Sequence, residues 1–393
     1  MAKQQSSDKE KSTGEIPGGP VGLILTGDGA RSAYEAGALS VLLPLLRDED
    51  APRIILGTSA GALNAALIAA VIDQGLDVAA AKLLEAWRTI RPEKVFAPPM
   101  GSTISLIAWH LRHAPRTASG LLDTKPLTRT IEEMLQPHDF GRGVESGKLD
   151  SLGVVASACS TSEAVVFVEG KMPPSSGERI RYLSTKLTIP HLLASSAFPL
   201  AFPAQWVEGP EGGDWYIDGG IHLNAPLKPA VDLGANRLLI LGATQQSPYR
   251  QPDPAVPPNF GDGGGQILHA VLTDRLQADL SYLCRKNAAV RKYGGASGSE
   301  DDHRLIATYL MTPPDDSLSE IAAEIWPSGW RSLLESFGGY RLLGGLTAQK
   351  QQPGQYLSYL CFHPEFIEQA ITKGQADAKA AIGNASTIPW ECT

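Results

Sequence analysis

Apolar residues along this chain occur either in short unbroken runs or in longer stretches with helical spacing. The unbroken runs Val21–Leu25, 54–56 and 237–242 predict strands buried on both faces, because apolar and polar positions do not alternate within them. Helical patterns separate these runs along the chain. This alternation predicts an α/β fold in which helices cover both faces of a mostly parallel central sheet, a three-layer α/β/α arrangement with further helices at the C-terminus.

The remaining patterns complete the expected organisation. Further helices are predicted at 62–88 with a break at Gly75, at 104–113, from about Pro126 to 135, and at 267–291, 318–325 and Pro364–Ile382; further strands are predicted at 153–160, 164–169, Asp214–Asp218 and 303–311. We therefore expect four parts: a disordered leader at 1–20, a core with the candidate chemistry at 21–245, a Pro/Gly-rich loop at 246–265, and a mainly helical part at 266–393 packed on the core.

Composition and charge narrow the class of protein. The chain has 393 residues, of which 43% are apolar and 19% charged, as in an ordinary soluble globular protein with a large core. A net charge of −8 at pH 7 argues against a nucleic-acid partner, which requires a basic patch. The four cysteines are widely spaced without a CxxC pair, and no acidic cluster has ligand spacing. We therefore predict no disulfide framework, metal site or cofactor.

The apolar pattern also bears on location. Residues 1–20 lack the apolar run of a signal peptide. The longest apolar stretch, 60–72, is interrupted by Asn64 and is shorter than the ~20 residues needed to span a bilayer. We expect a cytoplasmic protein that makes at most transient contact with membrane surfaces.

The strongest chemical signal is Gly57-x-Ser59-x-Gly61, between a predicted strand and an Ala/Leu-rich predicted helix. This order of elements is typical of a nucleophile elbow, in which a serine occupies the apex of a sharp turn. The flanking positions favour residues without a Cβ, since the neighbouring backbone approaches closely. The N-terminus of the following helix would face the hydroxyl and stabilise negative charge. The motif predicts that Ser59 is a nucleophile in acyl transfer.

A second glycine-containing segment, Gly27-Asp28-Gly29-Ala30-Arg31, lies between the first strand and a helix. A dinucleotide fingerprint is a weak alternative here, because Ser32 stands at its third glycine position. Upstream of a serine elbow, the backbone N–H groups of this loop are better suited to bind the oxyanion of a tetrahedral intermediate, with Arg31 adding positive charge.

The loop and the elbow together resemble the patatin-like phospholipase family, including bacterial patatin-like proteins, whose oxyanion loop runs Gly-Gly-Gly-x-Arg/Lys-Gly. In this chain Asp28 stands at the middle glycine and Ser32 at the last one. A carboxylate beside an oxyanion is unfavourable, so we expect Asp28 to point away or to pair with Arg31. The segment 193–203 also resembles the family, and we assign it a place in the structure or the pocket wall, without a role in the chemistry.

Asp218-Gly219-Gly220 on its own is typical of a β-turn. Its position after the elbow makes it similar to the Asp-Gly-Gly motif of the same family. The resemblance implies that Asp218 takes the proton of Ser59 and later activates water against an acyl-enzyme. It therefore implies a lipid acyl hydrolase of the phospholipase A type, a serine esterase with a Ser-Asp dyad that acts on phospholipids or other lipid esters.

Three alternatives stay open at this stage. An α/β-hydrolase also uses GxSxG but needs a late histidine, for which the candidates are His222, His269, His303 and His363. An acyltransferase would share the serine chemistry. A non-catalytic lipid-binding or regulatory module is suggested by the departures at Asp28 and Ser32.

Overall fold

The structure is a computed structural model that describes residues 16–95, 125–135, 139–174, 179–199, 202–209, 212–245, 255, 257, 274–293, 304–325, 355–385 and 387–392. Its strands are β1 Val21–Leu25, β2 Pro52–Thr58, β3 Ser151–Ala158, β4 Ala164–Gly170, β5 Ile180–Ser184, β6 Gln205–Val207, β7 Asp214–Asp218, β8 Arg237–Leu241 and β9 Ala307–Met311. The labelled helices are α1 Ala33–Leu42, α2 Ala60–Val71, α3 Leu76–Thr89, α4 Pro92–Val95, α5 Lys125–Leu135, α6 Arg142–Glu145, α7 Ile189–Ser195, α8 Gly220–Leu223, α9 Leu227–Asp232, α10 Asp274–Tyr293, α11 Gln355–Leu360 and α12 Pro364–Ile382. Residues 317–325 are also helical.

All of these strands belong to one sheet. Its main order is β5-β4-β3-β2-β1-β8-β9, while β7 pairs with β3 and β6 pairs with β7. The pairs β1–β2, β1–β8, β2–β3, β4–β5 and β8–β9 are parallel, whereas β3–β4, β3–β7 and β6–β7 are antiparallel. The predicted mostly parallel sheet is therefore confirmed.

Both faces of the sheet are covered. Leu23 and Leu25 of β1 pack in one apolar cluster with residues of α1, α2, α3 and α12. Ile24, between them, packs in a second cluster with residues of α9 and α10. Because successive side chains of a strand point to opposite faces, these contacts put apolar material on both sides of the sheet. The predicted three-layer α/β/α fold is confirmed.

The C-terminal helix α12 packs closely on α1. A Cβ at Gly374 would lie 2.1 Å from the carbonyl oxygen of Tyr34, and one at Gly37 would lie 2.1 Å from that of Ile371. Neither distance is physically possible, so this close crossing requires glycine on both helices. The C-terminal residues are thus seated against the helix that follows the 27–31 loop.

Several predicted elements are confirmed with small changes at their ends. The break near Gly75 separates α2 from α3, and Pro364–Ile382 is helical as predicted. The sequence patterns did not indicate β5 or β6. The predicted helix 104–113, the loop 246–265 and most of the leader 1–20 lie largely or wholly outside the described residues, and the four-part division stays a prediction. No helix in the described part of the chain has the length and apolar character needed to cross a membrane.

Candidate active site

The sheet register explains how Ser59 and Asp218 come together. Thr58, the last residue of β2, lies opposite Val155 on β3. Asp218, the last residue of β7, lies opposite Ala156, the next residue along the same strand. Because β2 is parallel and β7 antiparallel to β3, their carboxyl ends meet head to head beside one stretch of β3. Ser59 follows directly after this junction, next to Asp218.

Ser59 occupies a strained turn. Its backbone has φ 53° and ψ −126°, a conformation that residues with a Cβ rarely adopt. A Cβ at Gly57 would lie 2.3 Å from the carbonyl oxygen of Gly61, and one at Gly61 would lie 2.4 Å from those of Leu25 and Thr26. Both flanking positions therefore need glycine, as the elbow motif predicts. Strain of this kind places the serine hydroxyl at the start of α2.

The carboxylate of Asp218 is buried and hydrogen-bonded to the serine. The side chain is 3% exposed, and its Oδ1 accepts the N–H of Gly220 at 2.7 Å. Burial raises the pKa of Asp218 from its ordinary 3.8 to about 6, although the side-chain hydrogen bond with Ser59 and the bond from Gly220 both oppose the rise. A carboxylate with this pKa is a stronger base than an exposed aspartate. It can accept the serine proton directly.

Residues 27–31 lie beside Ser59, and we call them the oxyanion loop after the role that the sequence predicts for them. A Cβ at Gly27 would lie 2.8 Å from the Cβ of Ser59. The N–H of Gly27 donates to Asn224 Oδ1 at 2.9 Å, and that of Arg31 donates to the carbonyl of Asp28 at 3.1 Å.

Other donors of this region remain available. Among the described residues, no group accepts a hydrogen bond from the N–H of Asp28, Gly29 or Ala60. Ala60 directly follows the serine at the start of α2. The sequence predicts that N–H groups of this region bind an oxyanion, and these three have no other acceptor among the described residues.

The side chain of Asp28 is turned toward the end of β8. Its Oδ2 accepts bonds from Thr26 Oγ1 at 2.5 Å and from the N–H of Ala243 at 2.8 Å, and its Oδ1 accepts one from Thr244 Oγ1 at 2.8 Å. The side chain of Arg31 is 3% exposed and bonds to residues of the C-terminal part. The sequence analysis predicts that Asp28 either points away from the oxyanion or pairs with Arg31. In the structure its carboxylate is bonded to Thr26, Ala243 and Thr244, which agrees with the first of these.

Two further residues contact the candidate site and were not singled out from the sequence. Ser195, at the end of α7, accepts the N–H of Ser59 on its Oγ at 2.8 Å, and its carbonyl accepts the N–H of Gly219 at 3.3 Å. Asn224 holds Gly27 as described above. The only sequence signal for Ser195 is its place in the segment 193–203, to which the sequence analysis assigns no role in the chemistry.

The histidines in the described part of the chain have other partners. His222 Nδ1 lies 2.9 Å from Ser157 Oγ, which in turn donates to the carbonyl of Asp218 at 3.0 Å. His363 caps α12 by accepting the N–H of Glu365. His269 and His303 lie outside the described residues. The side-chain bonds of Asp218 come from Ser59 and Gly220, so the serine bonds to the acid without an intervening imidazole.

Ser59 and Asp218 thus meet at the carboxyl edge of a mostly parallel sheet, the serine in a strained turn and the acid buried. The sequence model of one family, described as patatin-like phospholipase, matches residues 23–231, which is more than half of the chain. The chain therefore belongs to the patatin-like phospholipase family, a family of lipid acyl hydrolases.

No curated protein is significantly similar to the chain in sequence. Among solved structures, VipD from Legionella pneumophila aligns at 11% sequence identity with a TM-score of 0.32, over 92% of this chain and 67% of VipD.

Proposed function

We propose that this protein is a serine lipid acyl hydrolase in which Ser59 is the nucleophile and Asp218 the general base. The substrates are carboxylic esters of phospholipids or other lipids, which follows from the family to which the chain belongs. The enzyme would meet its substrate at a lipid surface through transient contact.

In the first half of the reaction, Ser59 Oγ attacks the ester carbonyl carbon while its proton passes to Asp218. The negative charge that develops on the carbonyl oxygen is stabilised by the N–H groups of Asp28, Gly29 and Ala60 and by the N-terminus of α2. Asp218 then returns the proton to the departing alcohol, which leaves Ser59 acylated.

In the second half, Asp218 takes a proton from water as the water oxygen attacks the acyl carbon. Collapse of the intermediate breaks the bond to Ser59 Oγ, which recovers the proton from Asp218, and the fatty acid leaves. An alcohol in place of water would give acyl transfer by the same steps.

One observation supports this proposal above the others. The hydroxyl at the strained elbow is hydrogen-bonded to a buried carboxylate whose pKa of about 6 suits a base that works near neutral pH. A structural serine has no need of a positive φ or of a desolvated acid.

The test is product analysis on a panel of defined lipids, with phospholipids labelled separately at each acyl chain, glycolipids and triacylglycerols. We expect release of free fatty acid by the wild-type protein and none above background by Ser59→Ala. Transfer of the acyl group to an added alcohol would identify an acyltransferase. Equal fatty-acid release by wild type and Ser59→Ala would refute the proposal.

A further inference from the structure

The buried guanidinium of Arg31 joins the oxyanion loop to residues far along the chain. Its Nε donates to Ser358 Oγ at 2.6 Å, and one terminal nitrogen donates to Ser319 Oγ at 2.5 Å and to the carbonyl of Gln355 at 3.4 Å. The same nitrogen lies 3.9 Å from a carboxylate oxygen of Asp316. The planar guanidinium thus uses two of its nitrogens to bind residues of the C-terminal part of the chain.

Tyr359 makes two contacts with the loop and one with Thr244. The guanidinium carbon of Arg31 lies 4.5 Å from the centre of its ring, which is a cation–π contact. Its carbonyl oxygen would lie 2.3 Å from a Cβ at Gly29, so the backbone of α11 rests directly on the loop at a residue with φ +56°. Its hydroxyl lies 2.8 Å from Thr244 Oγ1.

The hydroxyl of Tyr359 completes a chain of hydrogen bonds that ends on the loop itself. Thr244 donates its single proton to Asp28, so Tyr359 must be the donor to Thr244. Burial raises the pKa of Tyr359 to about 12, which keeps that proton in place. Asp28, the departure from the family pattern, is thus the acceptor through which the C-terminal residues hold the loop.

A second hydrogen-bond network connects the loop to Thr26 and Glu35. Thr26 Oγ1 lies 2.5 Å from Asp28 Oδ2 and 3.2 Å from Glu35 Oε1, and one hydroxyl proton serves only one of them. Burial, and then the nearby charge of Asp28, raise the pKa of Glu35 well above its ordinary value. The backbone N–H of Thr26 also donates to Glu35 Oε1 at 3.1 Å, so Thr26 joins the carboxyl groups of Asp28 and Glu35.

We propose that Ser319, Gln355, Ser358 and Tyr359, which we call the C-terminal clamp, hold the oxyanion loop in its working position through Arg31 and Asp28. All four residues lie beyond 23–231, the part that matches the family. Arg31, Asp28 and Tyr359 are then positioning residues, since they act through the N–H groups of Asp28 and Gly29. The proposal rests on the proposed function and extends it to residues outside the family match.

The expected effect follows from when the loop acts. Oxyanion donors stabilise charge that is present only in the transition state, so a displaced loop lowers kcat more than it changes KM. Loss of one oxyanion donor costs about 100- to 1,000-fold in kcat in other enzymes. A loosened loop keeps its donors, so we expect a smaller loss.

Two variants test the clamp in the full chain. Arg31→Lys keeps the charge but cannot reproduce the fork that binds Ser358 and Ser319, and we expect kcat to fall by about 10- to 100-fold. Tyr359→Phe keeps the ring over Arg31 and removes only the bond to Thr244, and we expect a fall of about 3- to 10-fold. In both, KM for a soluble p-nitrophenyl ester should change by less than about twofold.

The matched control is Arg88→Lys. Arg88 also joins the core to the C-terminal part, through two 3.0 Å bonds to Glu368 of α12, but it is half exposed and makes no contact with the oxyanion loop among the contacts described. We expect its kcat to equal that of the wild type. A trifluoromethyl ketone, which forms a tetrahedral oxyanion adduct with a serine, gives a second readout. Its inhibition constant should rise in Arg31→Lys and Tyr359→Phe by the factor by which kcat/KM falls.

The outcomes separate the two proposals. If the wild type shows Ser59-dependent turnover and both clamp variants match Arg88→Lys in kcat and in ketone inhibition, the clamp is overturned and the proposed function stands. A purely structural role would lower the melting temperature and leave those two quantities unchanged, which would overturn the clamp as well. If Arg31→Lys does not fold, Tyr359→Phe decides alone. Absence of Ser59-dependent turnover in the wild type would overturn both proposals.

Discussion

Asp218→Asn should make the protein inactive and more stable at once. Asparagine has nearly the shape of aspartate and keeps an acceptor for the Gly220 N–H, but it carries no charge at any pH. In the wild type, ionising Asp218 is opposed by burial, which raises its pKa from 3.8 to about 6. At 1.36 kcal/mol for each unit of pKa, this difference corresponds to about 3 kcal/mol.

The sign of the effect follows from proton binding. The folded state binds the Asp218 proton more tightly than the unfolded state does, so this residue favours folding fully below pH 3.8. That contribution is lost as the pH rises through 6. Asp218→Asn does not titrate, so its stability does not fall in this way as the pH rises. We therefore expect the variant to be more stable than the wild type by up to about 3 kcal/mol at pH 8, and the difference to disappear near pH 4.

The assay combines urea unfolding at pH 4 to 8 with kinetics on a soluble ester. Glu35 and other groups titrate in both the wild type and Asp218→Asn, so their contributions cancel in the difference between the two unfolding free energies. For the wild type, kcat/KM should rise about tenfold per pH unit below 6 and level off above it, because the base must be ionised. Asp218→Asn should lose several orders of magnitude at every pH.

Desolvation of a catalytic Asp218 is refuted if Asp218→Asn is no more stable than the wild type at pH 8, or if the difference is the same at pH 4. A variant that retains near-normal turnover would equally remove Asp218 from the mechanism. A midpoint near pH 4 in the wild-type profile of kcat/KM would show that burial does not raise the pKa of Asp218.

Three other changes test neighbouring parts of the site. Ser195→Ala removes the acceptor for the Ser59 N–H and should lower kcat by about tenfold with KM unchanged. Its control is Ser196→Ala, at a buried hydroxyl with no hydrogen-bond partner in the described part of the chain, which should leave kcat at the wild-type value. His222→Ala should retain most of the turnover of a soluble ester, and a loss of several orders of magnitude would instead favour a Ser-His-Asp triad. Gly61→Ala forces a Cβ to within 2.4 Å of two carbonyl oxygens and should destabilise the fold by about 1–3 kcal/mol or more, measured by thermal unfolding. Gly18→Ala, where a Cβ meets nothing within 4 Å, should have no such effect.

Local sequence patterns predicted the main elements because local physics determines them. The unbroken apolar run Val21–Leu25 is a strand buried on both faces, and Gly75 separates two helices. The glycines at 57 and 61 indicated the elbow because few residue types tolerate so tight a turn. Strand β6, of three residues, is too short to have a pattern of its own.

The contacts that complete the candidate site depend on the register of distant segments. Ser195 is 136 residues from Ser59 in sequence, and Arg31 is 327 residues from Ser358. No local pattern encodes such pairs. Arg31 shows the limit most clearly: the sequence predicts that it adds positive charge near the oxyanion, but no pattern indicates that its bonds run to the C-terminal clamp.

The proposed mechanism depends on Ser59 being a nucleophile that Asp218 activates, and labelling with a fluorophosphonate tests this most directly. Intact-protein mass spectrometry and peptide mapping should find one adduct, on Ser59, that is absent in Ser59→Ala and forms far more slowly in Asp218→Asn. An adduct on another residue, or equal labelling of wild type and Ser59→Ala, would contradict it.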